Sequence, residues 1–582
     1  MRKDGSEYIQ PTYDSKNLTT GMKYKFAGSV ISASYSYDET KDNSPDSASF
    51  DGAGRTDYAY DSLGRTSRYG VFNKNNTGVY TASYTYKKNP SDSSKTSGVV
   101  ERINYGFINI NPLSYGYDKN GNITSISDSS GDVYEKYSYD NLNQLSTAYS
   151  GDTDNQYFIK YTYDTAGNIL SKKYYNALYY STKDESLLKS TINYTYDSTW
   201  KDKLISYNGK SISYDAIGNM LSFDSQTFTW LGRRLMSYAK CGTTTNYTYN
   251  SDGIRTKKVS GSTTTDYCLN GAQILAEKRG GTLINYFYTS DGTRVGFKTG
   301  GKVYYYVYNL QGDVTHIVDE SKNIVATYRY DPFGKILNLS SLTSIGKLNP
   351  FRYRGYYYDT ESNLYYLNSR YYNPEIGRFI NADAILGANK DILGYNLYAY
   401  CGNNPVCYID QYGTFSLSFK FDPSALFDLA NDVVDFVVDV VTTDLVKTAI
   451  SSIRPSNYGI GYYNKMISDD IDTILKAGDS LHKISSVIGS GLELFGIACN
   501  TYNDIKNGEK FQTIVIDLCV DGIIAIVGIS VTAVAIPMLS VSAVAVSAIA
   551  LGFSFAYTFF LDFVYYDGKT GREWLKEGAN SF

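Results

Sequence analysis

YTYDTAGNIL, residues 161–170, decides the fold class. Tyr161 and Tyr163 stand two positions apart, so in an extended chain both rings leave the same face of a strand. Asp164 follows, and a short carboxylate there bonds nearby backbone N–H groups and starts a turn. Gly167, three residues further on, takes the positive φ that closes the turn. Ile169 and Leu170 then open a second strand. The phrase is one strand–turn–strand unit, and its aromatic face is too small to bury by itself.

The phrase recurs as YAYDSLGRT from Tyr58, YGYDKNGNIT from Tyr115 and YSYDNLNQLS from Tyr137. It returns as YDAIGNML from Tyr214, YTYNSDGIRT from Tyr247, YVYNLQGDVT from Tyr306 and YRYDPFGKIL from Tyr328. Asp118 to Asp140 and Asn309 to Asp331 are both intervals of 22 residues, while insertions around 175–195 and 258–285 stretch others. Units of this kind must stack on one another, which predicts a mainly β protein. The tyrosines read as wall packing rather than sugar-binding rings, because they are periodic and flank the turns. The aspartates read as turn residues rather than catalysts.

Composition agrees. The 582 residues include 61 Tyr and 50 Gly but only 11 Pro, a balance suited to pleated surfaces and turns and unlike a disordered chain. That length predicts two or more domains. Net charge is −4, and residues 414–582 carry 11 Lys/Arg against 19 Asp/Glu, so this part is poorly suited to gripping phosphates and no nucleic-acid partner is expected. Cys241, Cys268, Cys401, Cys407, Cys499 and Cys519 form no CxxC pair, and His316 and His482 are the only histidines. No metal site or cofactor is expected, and the cysteines read as isolated buried thiols. The N-terminal MRKDGSEYIQPTYDSKN lacks the apolar run of a signal peptide and begins among the repeats, so the chain reads as the C-terminal portion of something longer.

Residues 350–413 close the repetitive body, and composition changes almost at once after them. They include FRYRGYYYDTESNLYYLNSRYYNPEIGRFINAD and NLYAYCGNNPVCYID. With the phrases quoted above, this run resembles the YD repeats and repeat-associated core of the RHS family, whose shells occur in bacterial polymorphic toxins, in the C components of insecticidal toxin complexes and in teneurins. The resemblance spans most of residues 30–413. It implies a spiral β-sheet wound into a hollow shell (1–349), a core that closes it (350–413) and a variable C-terminal domain as its cargo (414–582).

The resemblance also implies chemistry. Many RHS cores cut their own chain near an Asp-Pro-x-Gly-Leu motif, with aspartates acting together. The matching residues are Asp410 and, in the preceding Asn-Ala-Asp phrase, Asp383; the cut would fall just after Gly413. Two adjacent carboxylates would share a proton, one activating water while the other protonates the carbonyl oxygen. Arg378, in GRF, is the candidate to hold one of them. The sequence departs from the motif, since Gln411 stands where Pro is expected and Thr414 where Leu is expected. The competing reading makes both aspartates turn residues in a degenerate core.

Beyond Gly413 the YD phrase vanishes. Asp428, Asp432, Asp435 and Asp439 recur at helical spacing within 424–452, and residues 463–497 also read as helix. From Ile523 to Leu561 there is no charged residue and no His, and Pro537 falls near the middle. A continuous helix of that length would span roughly 58 Å, about twice a bilayer core, so a hairpin over 514–561 with two membrane-spanning arms is expected. The alternative is a buried hydrophobic hairpin in a soluble helical domain. An enzymatic tail has little to work with, because His482 lacks any HxxxH, HxE or CxxC partner.

The sequence therefore predicts a shell that encapsulates a membrane-inserting effector, and the resemblance implies that the core cuts it free. The expected partners are its own C-terminal domain, a lipid bilayer through 514–561 and an immunity protein, at a secreted or cell-surface location. A surface adhesion or scaffold protein with a membrane-anchored tail, and a shell carrying an unrecognised enzymatic toxin, are the alternatives.

Overall fold

The computed structural model describes residues 7–413 apart from 42, 90–91, 129–132, 153–155 and 384–391, together with short strands at Leu417–Ser418, Tyr565–Tyr566 and Lys569–Thr570. The chain divides into two compact units, Met1–Pro423 and Ser424–Phe582. In the second, the described residues form one two-stranded antiparallel pair. The expected helices of 424–452 and 463–497 and the 514–561 hairpin lie outside the described residues. Among the described residues, no helix is long and apolar enough to cross a membrane.

In the first unit, 29 strands from Tyr8–Tyr13 to Ile324–Thr327 form a single sheet. Each strand pairs antiparallel with its neighbours in the chain, as Tyr157–Tyr163 does with Leu145–Ser150 and Ile169–Tyr175. The mainly β fold read from the sequence is thus the fold observed, an antiparallel meander with few helices.

The YD phrase has a consistent local structure. The Asp164 Oδ1 atom accepts the N–H groups of Ala166 and Asn168, both at 2.9 Å, and Oδ2 accepts Asn168 Nδ2 at 2.8 Å. Gly167 takes φ +75°, as the turn requires. The register slips by one residue between Thr162 and Tyr163, and the same slip occurs at Ala59/Tyr60, Ser138/Tyr139, Thr248/Tyr249 and Val307/Tyr308. A bulge at this point raises the local twist of each hairpin.

The second tyrosine of each phrase then explains why the residue is not Phe. Tyr163 Oη donates to Leu145 O at 2.6 Å, and Tyr139 Oη to Ile123 O at 2.6 Å. Tyr249 reaches Leu235 O at 2.7 Å, and Tyr308 reaches Arg294 O at 2.7 Å. Each ring is a rivet between one repeat and the preceding one. Both tyrosines of a phrase do share a face, as the stacked rings of Tyr58 and Tyr60 illustrate.

The sheet also winds back on itself. Tyr24 Oη donates to Leu275 O at 3.0 Å, Tyr305 Oη to Ala53 O at 2.6 Å and Tyr80 Oη to Tyr306 O at 2.6 Å, so early strands pack on strands more than 200 residues later. One apolar cluster runs through the unit, and a smaller one of Phe158, Tyr175 and Tyr179 lies at the insertion after residue 175. Cys268, Cys401 and Cys407 are buried, but Cys241 is exposed, contrary to the expectation for the cysteines, because it sits in the tight turn Cys241–Gly242.

Residues 350–413 pack on this sheet. Their own four-stranded sheet comprises Tyr357–Asp359, Leu364–Leu367, Arg370–Asn373 and Arg378–Phe379, and every residue in these strands is buried. Strands buried on both faces lose the alternation of a half-exposed sheet, which is why this stretch reads as an aromatic run rather than a periodic one. Its charges are matched from the large sheet. Asp359 receives Arg255 Nη1 at 2.5 Å and Lys258 Nζ at 2.9 Å.

A second set of contacts fastens the core to the YD turns. Asn404, Asn403 and Asn396 each donate a side-chain N–H, at 2.9 Å, to the side-chain carbonyl oxygens of Asn122, Gln144 and Asn168 respectively. Those three residues end successive turns, and each gives its own amide N–H to the Asp of its turn. The turn aspartate therefore orients the amide so that its oxygen faces the core.

Candidate cleavage site at the end of the core

The strands Leu364–Leu367 and Arg370–Asn373 are joined by the two-residue loop Asn368–Ser369, with Asn368 at φ +61°. The loop delivers Ser369 and Arg370 to the chain end of the core. Gly413 lies against them at φ +73°, and a Cβ there would come within 2.8 Å of Leu367 O and 2.8 Å of Ser369 Oγ. Only glycine fits this approach.

The Gly413 carbonyl oxygen accepts two hydrogen bonds. Ser369 Oγ donates at 2.6 Å, and Arg370 Nε donates as well. Ser369 Oγ also lies 2.7 Å from Tyr412 O. Arg370 stacks over the Phe379 ring, with its guanidinium carbon 3.6 Å from the ring centre.

The same guanidinium holds both predicted aspartates. Arg370 Nη2 lies 2.8 Å from Asp383 Oδ2 and 2.9 Å from Asp410 Oδ2. The Asp383 side chain is 11% exposed and that of Asp410 is 3% exposed, so neither acid is freely solvated. The Asp410 N–H donates to Tyr356 Oη at 3.0 Å, and the Asp383 N–H donates to Leu397 O at 2.9 Å. A cation between two acids offsets their mutual repulsion, which weakens the reason for a shared proton.

Arg378 is elsewhere. Its Nη2 donates to Asp202 O at 2.8 Å and to Asn396 Oδ1 at 2.9 Å, and its guanidinium lies over the Tyr196 ring. The structure brings Asp383 and Asp410 together on Arg370 and sets Ser369 against the Gly413 carbonyl, two residues that the sequence does not single out. The hairpin register held the signal. Tyr372 pairs with Phe379 and Asn373 with Arg378, so counting back places Arg370 opposite the residues just before Asp383.

The teneurin YD-shell family model matches residues 94–406. The chain belongs to that family. The chain is 32% identical to the tRNA3(Ser)-specific nuclease WapA of Bacillus spizizenii over 353 residues, a match that covers 52% of this chain and 14% of that protein. It is 23% identical over 343 residues to the double-stranded DNA deaminase toxin A of Burkholderia cenocepacia, covering 52% of this chain and 22% of the relative. A segment of 65 residues is 45% identical to toxin protein Tse5 of Pseudomonas aeruginosa. Among solved structures, the crystal structure of TcdB2-TccC3-TEV aligns with 69% of this chain and 23% of its own, at 17% identity and a TM-score of 0.49. The chain thus spans less than a quarter of these longer relatives.

Proposed function

We propose that this YD-shell chain is part of a secreted or cell-surface toxin, with residues 1–349 as the shell wall, 350–413 as the closing core and 414–582 as its effector. The core cuts the chain after Gly413. The observation that supports this reading most directly is the convergence at the Gly413 carbonyl of two donors, Ser369 and Arg370, the second of which also holds two carboxylates.

The chemistry is hydrolysis. Water adds to the Gly413 carbonyl carbon, one of the Asp383 and Asp410 carboxylates accepts its proton, and the oxyanion forms against Arg370 Nε and Ser369 Oγ. The C–N bond to Thr414 then breaks, the proton passes to the Thr414 amine and Gly413 becomes a new C-terminus. Leu417–Ser418 pairs with Tyr408–Ile409, so strand pairing holds the chain on both sides of the bond. The test is the mass of the purified full chain with time. Fragments ending at Gly413, absent from Asp410→Asn, are expected; an intact wild-type chain removes the reading.

The effector acts on membranes through the uncharged run Ile523–Leu561. The full chain, but not one ended at Gly413, releases dye from phospholipid vesicles. The names of the nuclease and deaminase relatives favour a second reading, an enzymatic effector. Growth arrest without vesicle leakage would decide for it.

A further inference from the structure

The loop between strands Leu188–Tyr196 and Leu204–Tyr207 is a YD turn with two extra residues, and nothing in the repeat itself requires them. Asp197 keeps its turn role, its Oδ1 accepting Thr199 N at 2.9 Å and Trp200 N at 2.7 Å. The Asp197 N–H donates to Lys203 O at 2.9 Å, so the turn still closes. The lengthened loop carries Asp202 out towards the core. There Asp202 Oδ2 accepts the Leu397 N–H at 2.8 Å, 195 positions along the chain.

Leu397 is one hydrogen bond from the residues of the candidate cleavage site. Its carbonyl oxygen accepts the Asp383 N–H at 2.9 Å and Arg370 Nη1 at 3.3 Å. The amide on one side of this residue is thus fixed by the large sheet, and the carbonyl on the other side positions both an acid and the cation. Arg378 braces the arrangement by donating to Asp202 O and Asn396 Oδ1. On the other flank, Gly218 O accepts the Ala382 N–H at 3.3 Å and Arg233 Nη1 donates to Ala382 O at 2.5 Å.

We infer that Asp202 is a positioning residue for the cut after Gly413, acting through Leu397 on Asp383 and Arg370, so that cleavage requires the YD sheet to be folded around the core. The inference rests on the hydrolytic reading above. Asp202 touches no reacting atom and exchanges no proton. Its contribution is an acceptor oxygen at a fixed place, and misplacing a reacting group by about 1 Å costs on the order of a hundredfold in rate.

The test uses the full chain and follows the fraction cut by mass, with thermal unfolding of each variant measured in parallel. Asp202→Asn keeps an acceptor oxygen and loses the charge, so it should cut within about threefold of the wild type. Asp202→Ala should cut at least about tenfold more slowly at an unchanged unfolding midpoint. Asp202→Glu keeps the charge but moves the acceptor by one methylene, and it should also be slow; this variant decides the matter if Asp202→Ala does not fold. Wild-type rates in Asp202→Ala or Asp202→Glu overturn the positioning role while leaving the hydrolytic reading intact, as does equal slowing of Asp202→Asn and Asp202→Ala. An uncut wild type, or undiminished cutting by Asp383→Asn, defeats the hydrolytic reading and this inference with it.

Discussion

Asn403 donates its side-chain N–H to the Gln144 side-chain carbonyl at 2.9 Å, across 259 positions of sequence. The same Nδ2 atom also donates to Gly167 O, so one asparagine links two successive YD turns. Asn403 is wholly buried and sits at φ +59°, a conformation that Asn tolerates better than most residues.

Asn403→Asp keeps the size and turn preference of the side chain but sets an acceptor against two acceptors. A buried charge without donors costs about 3 kcal/mol or more. The denaturant midpoint of the shell should fall accordingly, and an unchanged midpoint would show that this link contributes nothing to holding the core.

Arg370 has two tasks, and they separate by substitution. Arg370→Ala leaves Asp383 and Asp410 without the guanidinium that pairs with both, a loss that typically costs about 3–5 kcal/mol for a buried pair. Arg370→Lys keeps a cation but cannot reach two acids and the Gly413 carbonyl together. It should fold yet leave the chain uncut when weighed. Gly413→Ala should also stay uncut, since its Cβ displaces the carbonyl from Ser369 and Arg370.

Asp331 gives the shell an acid-side preference. Burial pushes its carboxyl up to about 6, against the pull of Lys172 and Lys335. Its folded-state pKa thus stands above the value of about 3.9 in an unfolded chain, so the folded state binds the proton more tightly. This contribution to stability is full below about pH 4 and is lost as pH rises through 6. Asp331→Asn keeps an acceptor for the N–H groups of Phe333 and Lys335, and Asn stands at the same place in the phrases from Tyr247 and Tyr306. Relative to the wild type, the variant should gain about 2 kcal/mol between pH 4.5 and 7.5, read from denaturant curves at the two pH values. A difference that does not change with pH would mean that Asp331 titrates normally.

Tyr163→Phe removes the hydroxyl that rivets one repeat to the last while keeping the ring. The expected loss is about 0.5–1.5 kcal/mol, larger if Leu145 O finds no other donor. Tyr163→Phe and Tyr139→Phe touch different carbonyls, so their losses in unfolding free energy, read from denaturant curves, should add to within about 0.5 kcal/mol.

The repeat was legible because its causes are local. Tyr-x-Tyr-Asp-x-x-Gly states a strand, a turn and a second strand within ten residues, and each part depends on side chains bonding their own backbone, as Asp164 does with Ala166 and Asn168. The same locality gave the mainly β fold. The bulge before the second tyrosine and the rivet it makes were not legible, because the accepting carbonyl belongs to the preceding repeat.

The site was half legible for a related reason. Asp383 and Asp410 could be matched by motif, but their cation could not, since Arg370 and Arg378 are both arginines of the same short core and differ only in what the fold sets against them. Hairpin register sends Arg370 to the two acids, and the lengthened loop carrying Asp202 claims Arg378. Sequence by itself determined the repeating unit, its turn chemistry and the family. Only tertiary structure decided which charges meet, because a buried ion pair is chosen by distance in space and not by spacing along the chain.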